Sequence, residues 1–303
     1  MKESILILGG SGFIGKHFAK ACVERNFNTY VLSLHETKKS KRLKEVKYFS
    51  ADLRKLKEIK QNLSKNKFEY VVNLSGYIDH SSFYENGKET FDVHLLGLKN
   101  IISFLDIKYL KHFIQIGSSD QYGNNKAPQN ENMAPDPISP YSLSKIFSEN
   151  LLLFLYKNEA FPVTILRLFL VYGPEQKKDR LIPQLIIGCS QNKKFPTSSG
   201  IQLRDFCYVS DIVEGIFLSI NNKEAKGEII NLGSGKPVKI KDLIFRIQKK
   251  IGGGLPNFGK IPLRNNENLK LYADIRKAKK ILKWEQEVSL SEGIESTINF
   301  YIK

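Results

Sequence analysis

Cysteine, tryptophan and long apolar runs are scarce in this 303-residue chain. Its three cysteines, Cys22, Cys189 and Cys207, have no metal-like spacing and are too few for a disulfide framework. That composition points to no metal site and to a reducing, cytoplasmic setting. No apolar stretch approaches the roughly 18 residues of a membrane helix; the longest candidate, Leu151 to Tyr156, is far shorter. A signal-peptide pattern is missing as well, because the apolar run Ile5 to Leu8 passes straight into glycines. There are no internal repeats and no low-complexity tracts. With 41% hydrophobic and 26% charged residues, the chain reads as globular, with one large or two small domains.

Charge of one sign is plentiful. Lysine and arginine number 47 against 31 acidic residues, a net charge of +16. A lysine-rich solvated surface accounts for most of it, but such a field also attracts anions. The densest cluster is Lys38, Lys39, Lys41, Arg42, Lys44 and Lys47. No RNA-binding signature or zinc-finger spacing accompanies it, so a phosphorylated small molecule is expected as partner, not nucleic acid or membrane.

The first half alternates strand and helix patterns. Strands are expected at Ser4 to Leu8, Thr29 to Leu34, Val46 to Phe49, Tyr70 to Leu74, His112 to Ile116 and Val163 to Phe169. Helical periodicity fills Leu53 to Leu63, Phe91 to Leu105 and Tyr141 to Tyr156, the last opened by Pro140. This alternation predicts an α/β fold, a doubly wound parallel sheet. Beyond residue 170, prolines at 174, 183, 196, 237, 256 and 262 and the Gly252-Gly253-Gly254 loop break the chain into short pieces. Residues 1–170 are expected to form a dinucleotide-binding domain. Residues 171–303 would form mainly a smaller substrate lobe, some later segments returning to the first domain.

Gly9-Gly10-Ser11-Gly12-Phe13-Ile14-Gly15 follows the first strand and opens the first helix. Gly9 permits a tight turn, Gly12 lets a pyrophosphate approach the backbone, and Gly15 allows close helix packing. The context is that of a Rossmann-type dinucleotide site. An acid that would bind the adenosine ribose of NAD is replaced by Ser33, and the basic cluster beginning at Lys38 follows. This favours NADP over NAD, with Glu36 keeping NAD open. Asp52 and Leu53, after the third strand, are placed beside the adenine, although Asp52 alone would read as a helix N-cap. Leu74, which ends the fourth expected strand, and Ser75 and Gly76 after it complete the expected cofactor contacts.

Tyr141 and Lys145 share one helix face. A phenol, normally titrating near ~10, moves toward useful acid–base range beside an ammonium and an oxidised nicotinamide. Ser118 lies past a strand end, on the rim where doubly wound sheets bind ligands.

Further blocks carry a resemblance: Gly117-Ser118-Ser119-Asp120-Gln121-Tyr122-Gly123, Pro140-Tyr141-Ser142-Leu143-Ser144-Lys145, Arg167 to Pro174, Arg204 to Asp211, Asn231 to Gly235 and Ala273 to Ala278. With the glycine loop, they make the chain resemble extended short-chain dehydrogenase/reductases of the nucleotide-sugar epimerase/dehydratase group, over nearly its whole length. The Gly117 to Gly123 segment is most similar to the 4-ketoreductase members. The resemblance implies a sheet of about seven strands, with the late segments closing over the sugar-nucleotide. It also implies Tyr141 as acid/base, Lys145 as its tuning cation and nicotinamide-ribose ligand, and Ser118 as the group polarising the sugar oxygen. Ser119 and Asp120 are implied to line the substrate, and Arg204 and Arg264 to contact its diphosphate. A homodimer through a helix pair, one of them Tyr141 to Tyr156, is implied as well; the alternative is a helix buried on all sides.

The chain departs from that pattern in places. Ser119 and Asp120 replace the Asp-Glu pair of the 4,6-dehydratases, which disfavours dehydration. Leu170 stands where many relatives have a substrate-contacting asparagine. His94 replaces an asparagine near the cofactor, as a structural substitute or an added titratable group. The expected activity is an NAD(P)-dependent oxidoreduction at C4 of a nucleotide-diphosphate sugar, 4-keto reduction or its reverse. A 4-epimerase with tightly retained NAD is the alternative, followed by a dehydratase.

Overall fold

The structure is a computed structural model and describes residues 2–263 and 267–302. The chain divides into two compact units. The first holds residues up to Gly123, Pro135–Arg167 and Val213–Ile230; the second holds Asn124–Ala134, Leu168–Ile212 and Asn231 onward. Residues 124–134 thus cluster with the later segments, and 213–230 return to the first unit.

The first strand, β1 (Ser4–Leu8), is buried at all five residues, as a strand covered on both faces must be. It is followed by α1 (Phe13–Glu24), β2 (Asn28–Ser33), β3 (Lys47–Ser50), α2 (Leu56–Leu63) and β4 (Tyr70–Asn73). A seven-stranded sheet runs in the order Ile229–Leu232, β6 (Val163–Leu168), β5 (His112–Ser118), β4, β1, β2, β3. The pairs β1–β2, β1–β4, β2–β3 and β4–β5 are parallel. One face buries Leu6, Leu8, Leu32 and Phe113 against Ile59, Leu98, Ile101 and Leu152. On α1, Phe18 packs against Phe217 with ring centres 4.7 Å apart. Full burial of side chains of this size contributes about 2 kcal/mol each. Strand order reverses direction between β1 and β4, and such a switch opens a crevice at the carboxyl ends of the strands.

The expected helix Phe91 to Leu105 is built in pieces: α3 (Lys88–Phe91), a wide turn at Asp92–Leu96, and α4 (Gly97–Phe104). Apolar periodicity cannot separate a wide turn from a regular one over five residues. The helix opened by Pro140 is α5 (Pro140–Glu159), N-capped by Ser139, whose hydroxyl accepts the Ser142 N–H.

In the second unit, Leu203–Tyr208 pairs with Pro237–Lys239 antiparallel and with Lys270–Leu271 and Leu170–Tyr172 parallel. Its core joins Ile182, Leu185, Phe206, Leu243, Ile247 and Ile294. Pro183 does not break the chain as expected. It lies in the first turn of the helix Leu181–Ser190, where no backbone N–H is needed. Gly252 ends the helix Ile240–Ile251 at φ +78. Among the described residues, no helix is long and apolar enough to cross a membrane.

Candidate functional site

At the end of β1, Gly9 takes φ +74, a left-handed conformation open to glycine at little cost. It also presses on the backbone after β4, for a Cβ there would stand 2.8 Å from Ser75 Cα. A Cβ on Gly15 would stand 2.5 Å from the Gly9 carbonyl oxygen, so loop and helix close on each other only without side chains. Gly12, the N-cap of α1, is exposed, while Phe13 and Ile14 in the first turn are half-buried. That first turn has no side-chain cap and no acidic residue. Its N–H groups and positive dipole end are therefore available to an anion. A dinucleotide pyrophosphate fits this cradle.

The neighbouring residues are more committed to the protein than their sequence suggested. Ser33 is buried, and its hydroxyl oxygen accepts the Ser11 N–H at 3.1 Å. Arg42 of the basic cluster is paired with Glu36 at 2.7 Å, whereas Lys38 is exposed. Asp52 is not a helix N-cap, because α2 begins later with Lys55 in that position. Its carboxylate instead accepts from the Arg54 backbone and guanidinium, which holds its pKa below the usual carboxylate range. The Leu53 carbonyl accepts from Asn100 at 2.8 Å. Leu74 donates its N–H to Leu8, and Ser75 donates to Asn73. Gly76 is exposed and packs on His94, whose Cε1 a Cβ would approach to 2.7 Å.

Ser118 is the last residue of β5 and caps the short turn Ser119–Tyr122, its Oγ accepting the Asp120 N–H at 3.2 Å. Tyr141 is buried in the first turn of α5. One turn on, the Lys145 ammonium donates to the Ile116 carbonyl at 2.9 Å and lies 5.9 Å from the Tyr141 ring centre. Burial lowers the Lys145 pKa to about 8, which leaves it mainly cationic at neutral pH. A cation there favours the phenolate form of Tyr141.

Two histidines flank Tyr141 edge-on: His94 with ring centres 5.6 Å apart and His80 at 5.4 Å. His94 is buried and engaged by the backbone. It is 5% exposed, its Nε2 lies 3.2 Å from the Tyr77 carbonyl, and burial, with the Lys145 charge, pushes its pKa well down. His80 lies 3.7 Å from the half-exposed Asp120 carboxylate. Sequence reading missed His80, which sits in a loop with no periodicity to mark it. It also missed a buried group behind Ser118: Gln121, Glu149 and Arg167. For Glu149 a signal was present, since Tyr141, Lys145 and Glu149 recur at four-residue intervals along one helix face.

Ser119 is buried at 3% exposure, whereas Ser118 and Asp120 are partly open. Leu170 is exposed. In the second unit, Arg204 is ion-paired with Glu267 at 2.6 Å. Arg264 lies outside the described residues.

The family model described as "NAD dependent epimerase/dehydratase family" matches residues 5–233. A Methanocaldococcus jannaschii protein, provisionally named a UDP-glucose 4-epimerase, is 31% identical over 98% of this chain and 97% of its own length. The UDP-glucuronate 4-epimerase of Thermodesulfobacterium geofontis is 30% identical over 88% of this chain and 82% of its own. Among solved structures, the UDP-glucose 4-epimerase of Thermotoga maritima with UDP-glucose superposes with a TM-score of 0.91. It is 26% identical, over 99% of this chain and 98% of that one.

Proposed function

This chain belongs to the NAD dependent epimerase/dehydratase family of extended short-chain dehydrogenase/reductase enzymes, and from that premise we propose that it is a UDP-sugar 4-epimerase that retains NAD. The sugar is a neutral hexose or a hexuronate, by analogy with the two named relatives. One observation carries the proposal: Tyr141 at the start of α5 with Lys145 one turn behind it, its charge buried, and Ser118 at the carboxyl end of β5. The epimerase alternative is favoured over 4-keto reduction because the two named relatives carry the name of 4-epimerases.

NAD, when bound, supplies reversible two-electron oxidation at the sugar carbon. Gly9, Gly12 and Gly15 with the open end of α1 would hold its pyrophosphate. Tyr141 takes the proton of the C4 hydroxyl onto its phenolate oxygen and later returns it to the same oxygen. Lys145 keeps the phenolate accessible, and the Ser118 hydroxyl donates to the developing carbonyl oxygen. The proton returns to the same oxygen and the hydride would return to the opposite face of the carbon, so C4 inverts with no net exchange of protons or cofactor. NAD is favoured over NADP because Ser33 and Arg42, two of the groups that pointed to a 2′-phosphate, already have internal partners. Arg204 remains the proposed diphosphate contact. A homodimer through α5 is supported by Phe147, Leu151 and Phe154, which line one helix face and are exposed or half-buried.

The test is to incubate the purified protein with UDP-glucose and with UDP-glucuronate, adding no cofactor, and to identify the dinucleotide it releases on denaturation. Interconversion at C4 with NAD released is the expected result. Stoichiometric consumption of added NADPH by a 4-keto sugar, with no interconversion, would overturn the proposal. Light scattering on the wild type and on Phe154→Glu tests the dimer; a monomeric wild type rules it out.

A further inference from the structure

We propose that Gln121 is a positioning residue that clamps Ser118 to a buried ion pair. The inference rests on the role given to Ser118 above. The Gln121 side chain has no exposed surface. Its Oε1 accepts the Ser118 N–H at 2.9 Å, and its Nε2 donates to Glu149 Oε2 at 2.9 Å. A flipped amide would set donor against donor and acceptor against acceptor, so both contacts fix one orientation. Glu149 is in turn held by Arg167, through Nε at 3.0 Å and Nη2 at 2.5 Å, with both residues nearly fully buried. The Arg167 guanidinium rests 4.6 Å from the centre of the Tyr122 ring.

Gly117 supplies an independent sign. A Cβ there would stand 2.7 Å from Gln121 Oε1 and 3.1 Å from Arg167 Cγ. The glycine leaves the space in which the amide reaches the strand. The end of β5 is therefore tied to one face of α5 twice, by Lys145 on the Ile116 carbonyl and by Gln121 between Ser118 and Glu149. Tyr141 belongs to the same helix face, so these ties set the register between phenol and serine. A buried ion pair adds little to stability compared with apolar residues of the same volume. Here its product is a fixed Ser118 backbone.

The experiment compares wild type with Gln121→Met, which keeps length and volume and removes both polar contacts. Amide exchange of the protein with its retained dinucleotide is measured over residues 112–123. Exchange at Ser118 is expected to rise by about tenfold or more while the strand behind it stays protected. Unchanged exchange at Ser118 overturns the clamp. In turnover, kcat should fall by about tenfold to a hundredfold, with KM and bound dinucleotide kept. In a Ser118→Ala background the same change should cost less than about twofold, because the residue it positions is gone. A full loss in that background overturns the positioning role. Gly117→Ala, which pushes the amide away, should reproduce both effects and serves if Gln121→Met does not fold. If wild type turns over no UDP-sugar, the proposed function fails, and the exchange measurement alone then decides the clamp.

Discussion

Each unit buries an ionisable side chain, and the two are treated in opposite ways. In the second unit, Asp205 has no exposed surface, and its carboxylate accepts four hydrogen bonds: Ser234 N–H and hydroxyl at 2.6 Å, Gly235 N–H at 2.9 Å and Ala273 N–H at 3.0 Å. In the first unit, the Lys145 ammonium has three donors and, among the described residues, makes one hydrogen bond, to Ile116. A buried charge with its capacity filled holds three segments together. A buried charge with capacity to spare sits where a ligand is expected.

The comparison breaks first at the chemistry. Tyr141→Phe keeps the ring and removes the proton carrier, so turnover should fall by about a thousandfold or more with dinucleotide retention unchanged. Substantial activity in this variant would remove Tyr141 from the reaction. Asp205→Ala leaves three backbone N–H donors without their acceptor and should destabilise the protein by about 3 kcal/mol or more in denaturant unfolding. A loss below about 1 kcal/mol would mean that water replaces the carboxylate.

Lys145 should behave in the reverse sense. Its pKa is lowered from 10.5 to about 8 on folding. Between those values the unfolded chain binds more protons, so wild-type stability rises with pH through that window. Below it, the full penalty of the buried cation applies. Lys145→Met, stripped of dinucleotide, should therefore be more stable than wild type by about 3 kcal/mol near pH 7, with the gain fading toward pH 10.5. A pH-independent difference would refute the assignment. The smallest effect is expected at Gly15→Ala, about 1–3 kcal/mol from the clash with the Gly9 carbonyl. Reduced dinucleotide content should accompany it.

Much of the site could be read directly from local sequence. The run Ser4 to Leu8, the glycine loop and the Pro140 start of α5 each depend on neighbours within a few residues. Tyr141 and Lys145 were visible because helical geometry alone puts them on one face. The N-cap alternative for Asp52 failed because α2 starts later, behind Lys55, and no periodic rule foretells that Arg54, two residues on, takes both carboxylate oxygens. His80 was invisible for a similar reason: its value lies in the loop's approach to Tyr141. Gln121, Glu149 and Arg167 come from a turn, a helix and a strand, and only folding makes them a single hydrogen-bonded group.

By itself, then, the sequence determined the alternation of strands and helices, the conformation of the glycine loop and the spacing of phenol and ammonium. All of these follow from backbone sterics and the helical period, which act over a few bonds. Tertiary structure decided which charges are filled and which are left open, how far burial lowers the pKa of Lys145, and what holds Ser118. Desolvation and long-range hydrogen bonds depend on atoms far apart in the chain, and they exist only once the sheet has brought those atoms together.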